Sequence, residues 1–355
     1  MNRFENVDTI RCLANYLIIL LHASASLQYA DAAVVDSIFW QSIFTICSVA
    51  LPAFFLISGY LLFVNYDYKK YPFKIKNRLK RLFVPYISWN ILFVIFYLSL
   101  AAIVPRLSSR VAAFELNSFF GALSKIISIN TPPIDGPLWF IRTLLFLAFI
   151  SPLFFWLSKS KFKIAIGGGI LFLAYIVCYS SGFICKIVMS YPLYAFVLFF
   201  VGAILAQIKK SNIDTIFHSH IWAFIGIIGI VLLFYSKTRG DIFGDKYAAL
   251  TDDIAKLICT PLLFYLVDRS NAKSLLNCKW FQKASKLSFF AYAGHFLFCS
   301  MILHTVMPHI GYMGVGKCTI GVILFFGCGT LLMSVVYIWG QKYFPRTTKL
   351  FDGTL

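Results

Sequence analysis

Charge is scarce in this sequence, and acid is scarcest of all: 355 residues hold 32 Lys and Arg but only 14 Asp and Glu. A soluble chain of this length folds as about two or three domains, each needing a polar surface. Charged residues at 13% cannot cover them, and the apolar fraction of 60% stands against about 45–50% in soluble domains. A soluble protein is excluded. Among nine cysteines there is no C-x-x-C. Most fall in apolar runs, so they read as small packing residues rather than disulfides or metal ligands, and no metal site is expected. Also lacking is a basic surface interleaved with aromatics of the kind nucleic acid requires. The net charge of +18 is instead spread between long apolar segments, as in an integral membrane protein. There is no internal repeat or low-complexity tract. The first apolar segment carries Arg11, Asn15 and His22 and has no convincing cleavage site, which excludes a signal peptide.

A bilayer-spanning helix needs about 20 mostly apolar residues. Ten candidates follow: 9–28, 38–64, 82–105, 138–157, 163–184, 188–208, 219–236, 254–268, 286–306 and 318–341, of which 254–268 is the shortest. With the N-terminus placed in the cytoplasm, the inner segments hold 22 Lys and Arg, the outer segments hold 9, and Arg142 lies inside the fourth span. This asymmetry supports both the orientation and the even number of spans. The expected fold is therefore an all-α polytopic bundle of about ten helices, both termini cytoplasmic, with residues 1–355 forming a single membrane domain. The outer loops 106–137 and 237–253 can cover a site but are too short to fold separately.

Charged and polar groups inside the membrane are costly and are functional candidates by default. The first span presents Asp8, Arg11, Asn15, His22 and Ser26 at helical spacing. Arg11 and His22 differ by only about 20° around the helix axis and are separated by about 16 Å along it. One face thus carries a cation near the cytoplasmic end and an imidazole deep in the membrane. Taken separately, His22 could be an interhelical hydrogen bond and Arg11 could reach the inner surface; the co-aligned polar residues favour a cavity. Arg142 could hold an acceptor at the outer mouth, pair with Asp135, or extend outward. His295, in the ninth span, could line the same cavity as His22 or make a packing hydrogen bond. Glu115 and Asp135 are the main acids of the outer segment before Arg142.

Several stretches resemble one family. Asp8-Thr-Ile-Arg11 followed by His22-Ala23 resembles the arginine–ten residues–histidine signature of the acyltransferase-3 family of integral membrane O-acyltransferases. Pro52-Ala-Phe-Phe-Leu-Ile-Ser58-Gly59-Tyr60 is similar to its pattern of aromatics before Ser-Gly. Arg78-Leu-Lys-Arg81 with Pro85-Tyr86 resembles its cytoplasmic Arg-x-x-Arg and Pro-Tyr. Pro137-Leu-Trp139-Phe-Ile and Ala291-Tyr292-Ala-Gly-His295 resemble two later elements. The five occur in the family's order between about residues 5 and 340.

The resemblance implies transfer of an acyl group, commonly acetyl, from acetyl-CoA to a hydroxyl of a surface polysaccharide, lipopolysaccharide or lipid-linked glycan at the cell inner membrane. Acyl-CoA would be a co-substrate, with no permanently bound cofactor. On this reading His22 and Arg11 are catalytic. His22 serves as general base, or as a nucleophile that carries the acyl group; Arg11 binds the donor or stabilises charge on the thioester oxygen. Arg78 and Arg81, three residues apart, share a helix face if the third span begins early, and guanidinium forks suit the phosphates of CoA. Asn15, Ser58, Trp139, Arg142 and His295 are candidates for the acceptor or the cavity wall. Some relatives carry a soluble extracytoplasmic domain; none is recognisable here, so either the membrane domain acylates its acceptor directly or a separate extracytoplasmic partner protein does. A secondary transporter or glycan flippase is the competing reading, against which stands the absence of repeated halves.

Overall fold

A computed structural model describes residues 6–26, 38–64, 69, 71–104, 119–128, 131–180, 191–208, 218–238, 245–270, 278–305 and 314–354. These residues are mostly helical, with no strand among them. The order is α1 (Asn6–Ser26), α2 (Ile38–Ser48), α3 (Ala50–Phe63), α4 (Tyr71–Ile103), α5 (Phe119–Ile127), a 3₁₀ turn (Gly136–Leu138), α6 (Trp139–Phe149), α7 (Ser151–Leu157), α8 (Lys161–Ser180), α9 (Leu193–Leu205), α10 (Ile221–Thr238), α11 (Asp245–Arg269), α12 (Lys279–Thr305), α13 (Val315–Tyr343) and α14 (Pro345–Asp352). Each of the ten expected spans falls on one of these helices or on a consecutive pair. The protein is an all-α polytopic membrane bundle. Five segments are individually long and apolar enough to cross a membrane: Ile38–Phe63, Tyr71–Ile103, Lys161–Tyr179, Ile221–Thr238 and Cys318–Tyr343.

The expected span 138–157 is bent by 59° between α6 and α7. The cause is Pro152, which has no amide to offer the Ala148 carbonyl. That carbonyl instead accepts from the hydroxyls of Ser151 at 2.6 Å and Tyr71 at 3.4 Å. The stretch 254–268 is not short: α11 runs for 25 residues, Asp245–Arg269. Lys256, assigned from sequence to an outer segment, lies within it.

The chain forms two compact units, each assembled from separated stretches: residues 1–21, 36–75 and 146–288 in the first, residues 22–35, 76–145 and 289–355 in the second. In the first unit, α3 and α9 touch backbone to backbone. A Cβ added to Gly59 would lie 2.2 Å from the Phe199 carbonyl oxygen, and one on Gly202 would lie 2.3 Å from that of Leu56. Lipid offers little hydrophobic drive for helix association, so small residues that permit this approach supply packing instead. Two adjacent acids of α11 find partners within this unit. Asp252 meets Lys256 and, at 3.4 Å, Lys237. Asp253 accepts from Tyr179 at 3.0 Å and Tyr175 at 3.5 Å. These two tyrosines also line an otherwise apolar cavity of about 580 Å³ between α8, α9 and α11.

The second unit is built around Trp89 of α4, which is 2% exposed. Its ring lies 5.1 Å from both Phe290 and Phe351, and its Nε1 donates to the Phe351 carbonyl at 3.0 Å. Gly294 of α12 leaves room for that indole. The contact seats α14, whose Asp352 accepts from Gln341 of α13 at 3.1 Å and from Tyr337 at 3.4 Å. Gly353 ends α14 in the left-handed conformation, φ 71°, beside the Arg81 carbonyl that Pro85 cannot serve.

The α3–α9 contact can be tested directly. Gly202→Ala forces a methyl against the Leu56 carbonyl and is expected to cost about 1–3 kcal/mol. A fall in the thermal midpoint of the detergent-solubilised protein would report it. Gly168→Ala, inside α8 where a Cβ meets nothing within 4 Å, should hold or raise the midpoint.

Candidate active site

The second unit contains a non-helical stretch between α5 and α6, described at 128 and 131–138. Buried side chains tie it down along its length. From α4, the Tyr86 hydroxyl donates to the Ile127 carbonyl at 3.1 Å, and the Asn90 side-chain oxygen accepts the Asp135 amide at 3.1 Å. From α6, Arg142 Nη1 donates to the carbonyls of Ser128, at 2.7 Å, and Thr131. From α12, the Tyr292 hydroxyl donates to the Pro137 carbonyl at 2.7 Å. Ser128 adopts a positive φ of 55°, rare for a residue with a side chain, and its carbonyl is one of the two that Arg142 holds.

The stretch ends against Phe296, the ring beside a pair of imidazoles. The His22 and His295 ring centroids are 5.2 Å apart, with the planes inclined by 37°. Phe296 lies 6.0 Å from His22 and 6.3 Å from His295, and a Cβ on Gly136 would be 3.7 Å from its ring. His295 is 1% exposed, and its Nδ1 meets the backbone carbonyl of Tyr292. A carbonyl only accepts, so the neutral ring must carry its proton on Nδ1. The lone pair therefore resides on Nε2, which is buried without a hydrogen-bond partner among the described residues. The chemistry available is that of a pre-set tautomer: a basic nitrogen beside a second imidazole, away from water.

Asp135 shares this neighbourhood. It is fully buried, and neither carboxylate oxygen has a hydrogen-bond partner among the described residues. Burial pushes its carboxyl well above the usual carboxylate range. The ion pair with Arg142 considered from sequence is not formed, because that guanidinium is 6% exposed and turned to the Ser128 and Thr131 carbonyls. Outward extension of Arg142 is likewise overturned.

Of the other candidates, Trp139 begins α6 with its ring 6.4 Å from Phe140. Arg78 and Arg81 lie on α4, which begins at Tyr71, so their spacing of three places both on one helix face; Arg81 is exposed. Arg11, Asn15 and Ser58 belong to the first unit. Arg11 is about half exposed and lies 3.9 Å from Asp8. Asn15 is buried, donating to the Ser288 hydroxyl at 2.9 Å. Ser58 is buried on α3, and the glycine that follows it makes the contact with Phe199. Glu115 and the side chain of Ser26 lie outside the described residues. Sequence reading missed Asn90. The only signal was a polar residue inside an apolar span, one turn after Tyr86.

The fold and the site together define a class: a polytopic membrane protein with two imidazoles in contact within one of its units. The family whose model matches, described as an acyltransferase domain, covers residues 4–339. The chain belongs to this family, acyltransferase-3, and is a membrane acyltransferase. No curated protein and no solved structure matches it.

The role of Arg142 as a fastener of backbone carbonyls yields a stability prediction. Arg142→Met leaves those carbonyls without their charged donor and should lower stability by about 2–3 kcal/mol. Thermal unfolding of the purified protein would measure it, and an unchanged midpoint would return Arg142 to the acceptor-binding role.

Proposed function

We propose that the protein transfers an acyl group, acetyl in the first instance, from acyl-CoA to a hydroxyl of a cell-surface polysaccharide or lipid-linked glycan at the inner membrane. The observation that carries this reading is the His22–His295 pair in a chain of the acyltransferase-3 family. O-acylation requires a base that takes the proton of a neutral hydroxyl as its oxygen attacks the thioester carbonyl. It then requires an acid that returns a proton as the C–S bond breaks and the CoA thiolate leaves. His22 is assigned the first step, and the imidazolium so formed supplies the second. His295, fixed as its Nδ1–H tautomer, presents an acceptor nitrogen to the same space and supports His22 in its charged form. Burial of His295 strengthens its interaction with His22, and exclusion of water on substrate binding would suppress hydrolysis of the thioester.

On this reading Arg11 holds the donor, and Arg78 and Arg81 bind CoA phosphates as bidentate forks. The exposure of Arg81 and the shared face on α4 suit a water-soluble nucleotide. The acceptor either enters the site itself or is served by a separate extracytoplasmic partner protein.

Membranes holding matched amounts of wild type, His22→Ala and His295→Asn, supplied with radiolabelled acetyl-CoA and extracted lipid-linked glycans, provide the test. Wild type should label the glycan. His22→Ala should lose at least about 100-fold, as expected for removal of a general base. His295→Asn retains an amide donor for the Tyr292 carbonyl but lacks Nε2, and should fall by about tenfold or more. Labelling by both variants at the wild-type rate would overturn the assignment. An absence of labelling by wild type with every acyl-CoA tried would overturn the function.

A further inference from the structure

The mechanism above leaves one buried titratable group unused. Asp135 is 0% exposed and both its carboxyl oxygens lack a hydrogen-bond partner among the described residues. A buried carboxyl without a partner is destabilising whether it is ionised or neutral, so its presence calls for a cause outside the fold's own stability. It is not a carboxyl waiting to swing into water. Its own amide is held by Asn90, and two residues on, the Pro137 carbonyl is held by Tyr292. The intervening Gly136 packs towards Phe296, the ring that contacts both His22 and His295. The carboxyl is also near enough to the Tyr292 phenol to act on it electrostatically. The same residue whose carbonyl receives His295 Nδ1 thus lies near Asp135, and Phe296 stands between the segment bearing Asp135 and the imidazole pair.

We infer that Asp135 is an acceptor-binding residue that hydrogen-bonds a hydroxyl of a polyhydroxylated, uncharged acceptor next to the one being acylated. This rests on the O-acylation reading of the His22 site. The chemistry selects the ligand. An ionised acidic group would be costly to bring against a buried carboxyl that has no cation beside it, whereas a sugar brings several hydroxyls, each able to donate and accept. Burial favours the neutral carboxyl, which itself donates through one oxygen and accepts through the other, the complement of a neighbouring pair of hydroxyls. Holding a second hydroxyl fixes which one lies within reach of the base, so the residue sets regiochemistry as well as affinity.

The test measures steady-state kinetics and thermal midpoints for wild type, Asp135→Asn and Asp135→Leu. Radiolabelled acetyl-CoA is the donor and extracted lipid-linked glycan is the acceptor, each varied in turn. Asp135→Leu should raise the acceptor KM at least tenfold while the acetyl-CoA KM moves less than twofold; Asp135→Asn, which still accepts and donates, should raise the acceptor KM less. The thermal midpoint of Asp135→Leu should equal or exceed that of wild type, because an unpartnered buried carboxyl has been removed. An unchanged acceptor KM in both variants overturns the inference and leaves O-acylation standing. So does a lowered midpoint, failure of Asp135→Leu to accumulate, or a parallel rise in both KM values, since these mark a structural carboxyl. A wild type that transfers no label to the glycan overturns the O-acylation reading and, with it, this inference.

Discussion

The second unit depends on one constraint. Backbone amides and carbonyls that leave a helix in apolar surroundings must find partners within the protein. The stretch between α5 and α6 meets it with four buried side chains: Tyr86 and Asn90 on α4, Arg142 on α6 and Tyr292 on α12. Three otherwise independent helices are thereby joined to one segment. The bend between α6 and α7 obeys the same requirement in the first unit, where Ser151 and Tyr71 serve the carbonyl that Pro152 cannot. In both places a proline or a turn creates the demand, and a nearby hydroxyl or guanidinium answers it.

Against so thorough a pairing of polar groups, the few that are left unpaired gain meaning. Among the described residues, His295 Nε2 and both oxygens of Asp135 lack a hydrogen-bond partner, as do Thr9 Oγ1 and Trp40 Nε1 in the first unit; the first three lie around one aromatic ring or on the segment packed against it. His295 is held at one ring atom only: Nδ1 is fixed by the Tyr292 carbonyl, and Nε2 has no hydrogen-bond partner among the described residues.

How much of this was legible beforehand varied with the kind of signal. Span positions and the all-α class follow from hydropathy and charge distribution, which are properties of the local chain, and the helices lie where those signals placed them. The shared face of Arg78 and Arg81 was conditional on an early start to the third span, and α4 supplies it by beginning at Tyr71. Arg142 was legible as a significant residue. Its candidates were an acceptor, Asp135 or the outer water; it holds two backbone carbonyls, which no side-chain pattern reveals. Asn90 was missed for the same reason: it acts on an amide 45 positions away. The pairing of His22 with His295 links residues from the first and ninth expected spans, and periodicity within one helix carries no information about that.

The motif residues therefore divide between chemistry and construction. Gly59, the glycine of Ser58-Gly59, is required by the close approach of the Phe199 carbonyl. Pro85 and Tyr86 shape α4 and hold the Ile127 carbonyl. Tyr292 anchors Pro137 with its hydroxyl and orients His295 with its carbonyl, so one residue both pins the segment bearing Asp135 and sets the tautomer of an imidazole. A substitution at Tyr292 would disturb both at once, although its side chain bears no reacting atom. Loss of activity in such a variant would report the placement of Asp135 and His295 rather than chemistry at the phenol. Separating the two requires variants that touch only one: His295→Asn for the imidazole and Asn90→Leu for the segment. The motif's tyrosine is thus a positioning residue, while its histidine keeps one ring nitrogen without a hydrogen-bond partner among the described residues.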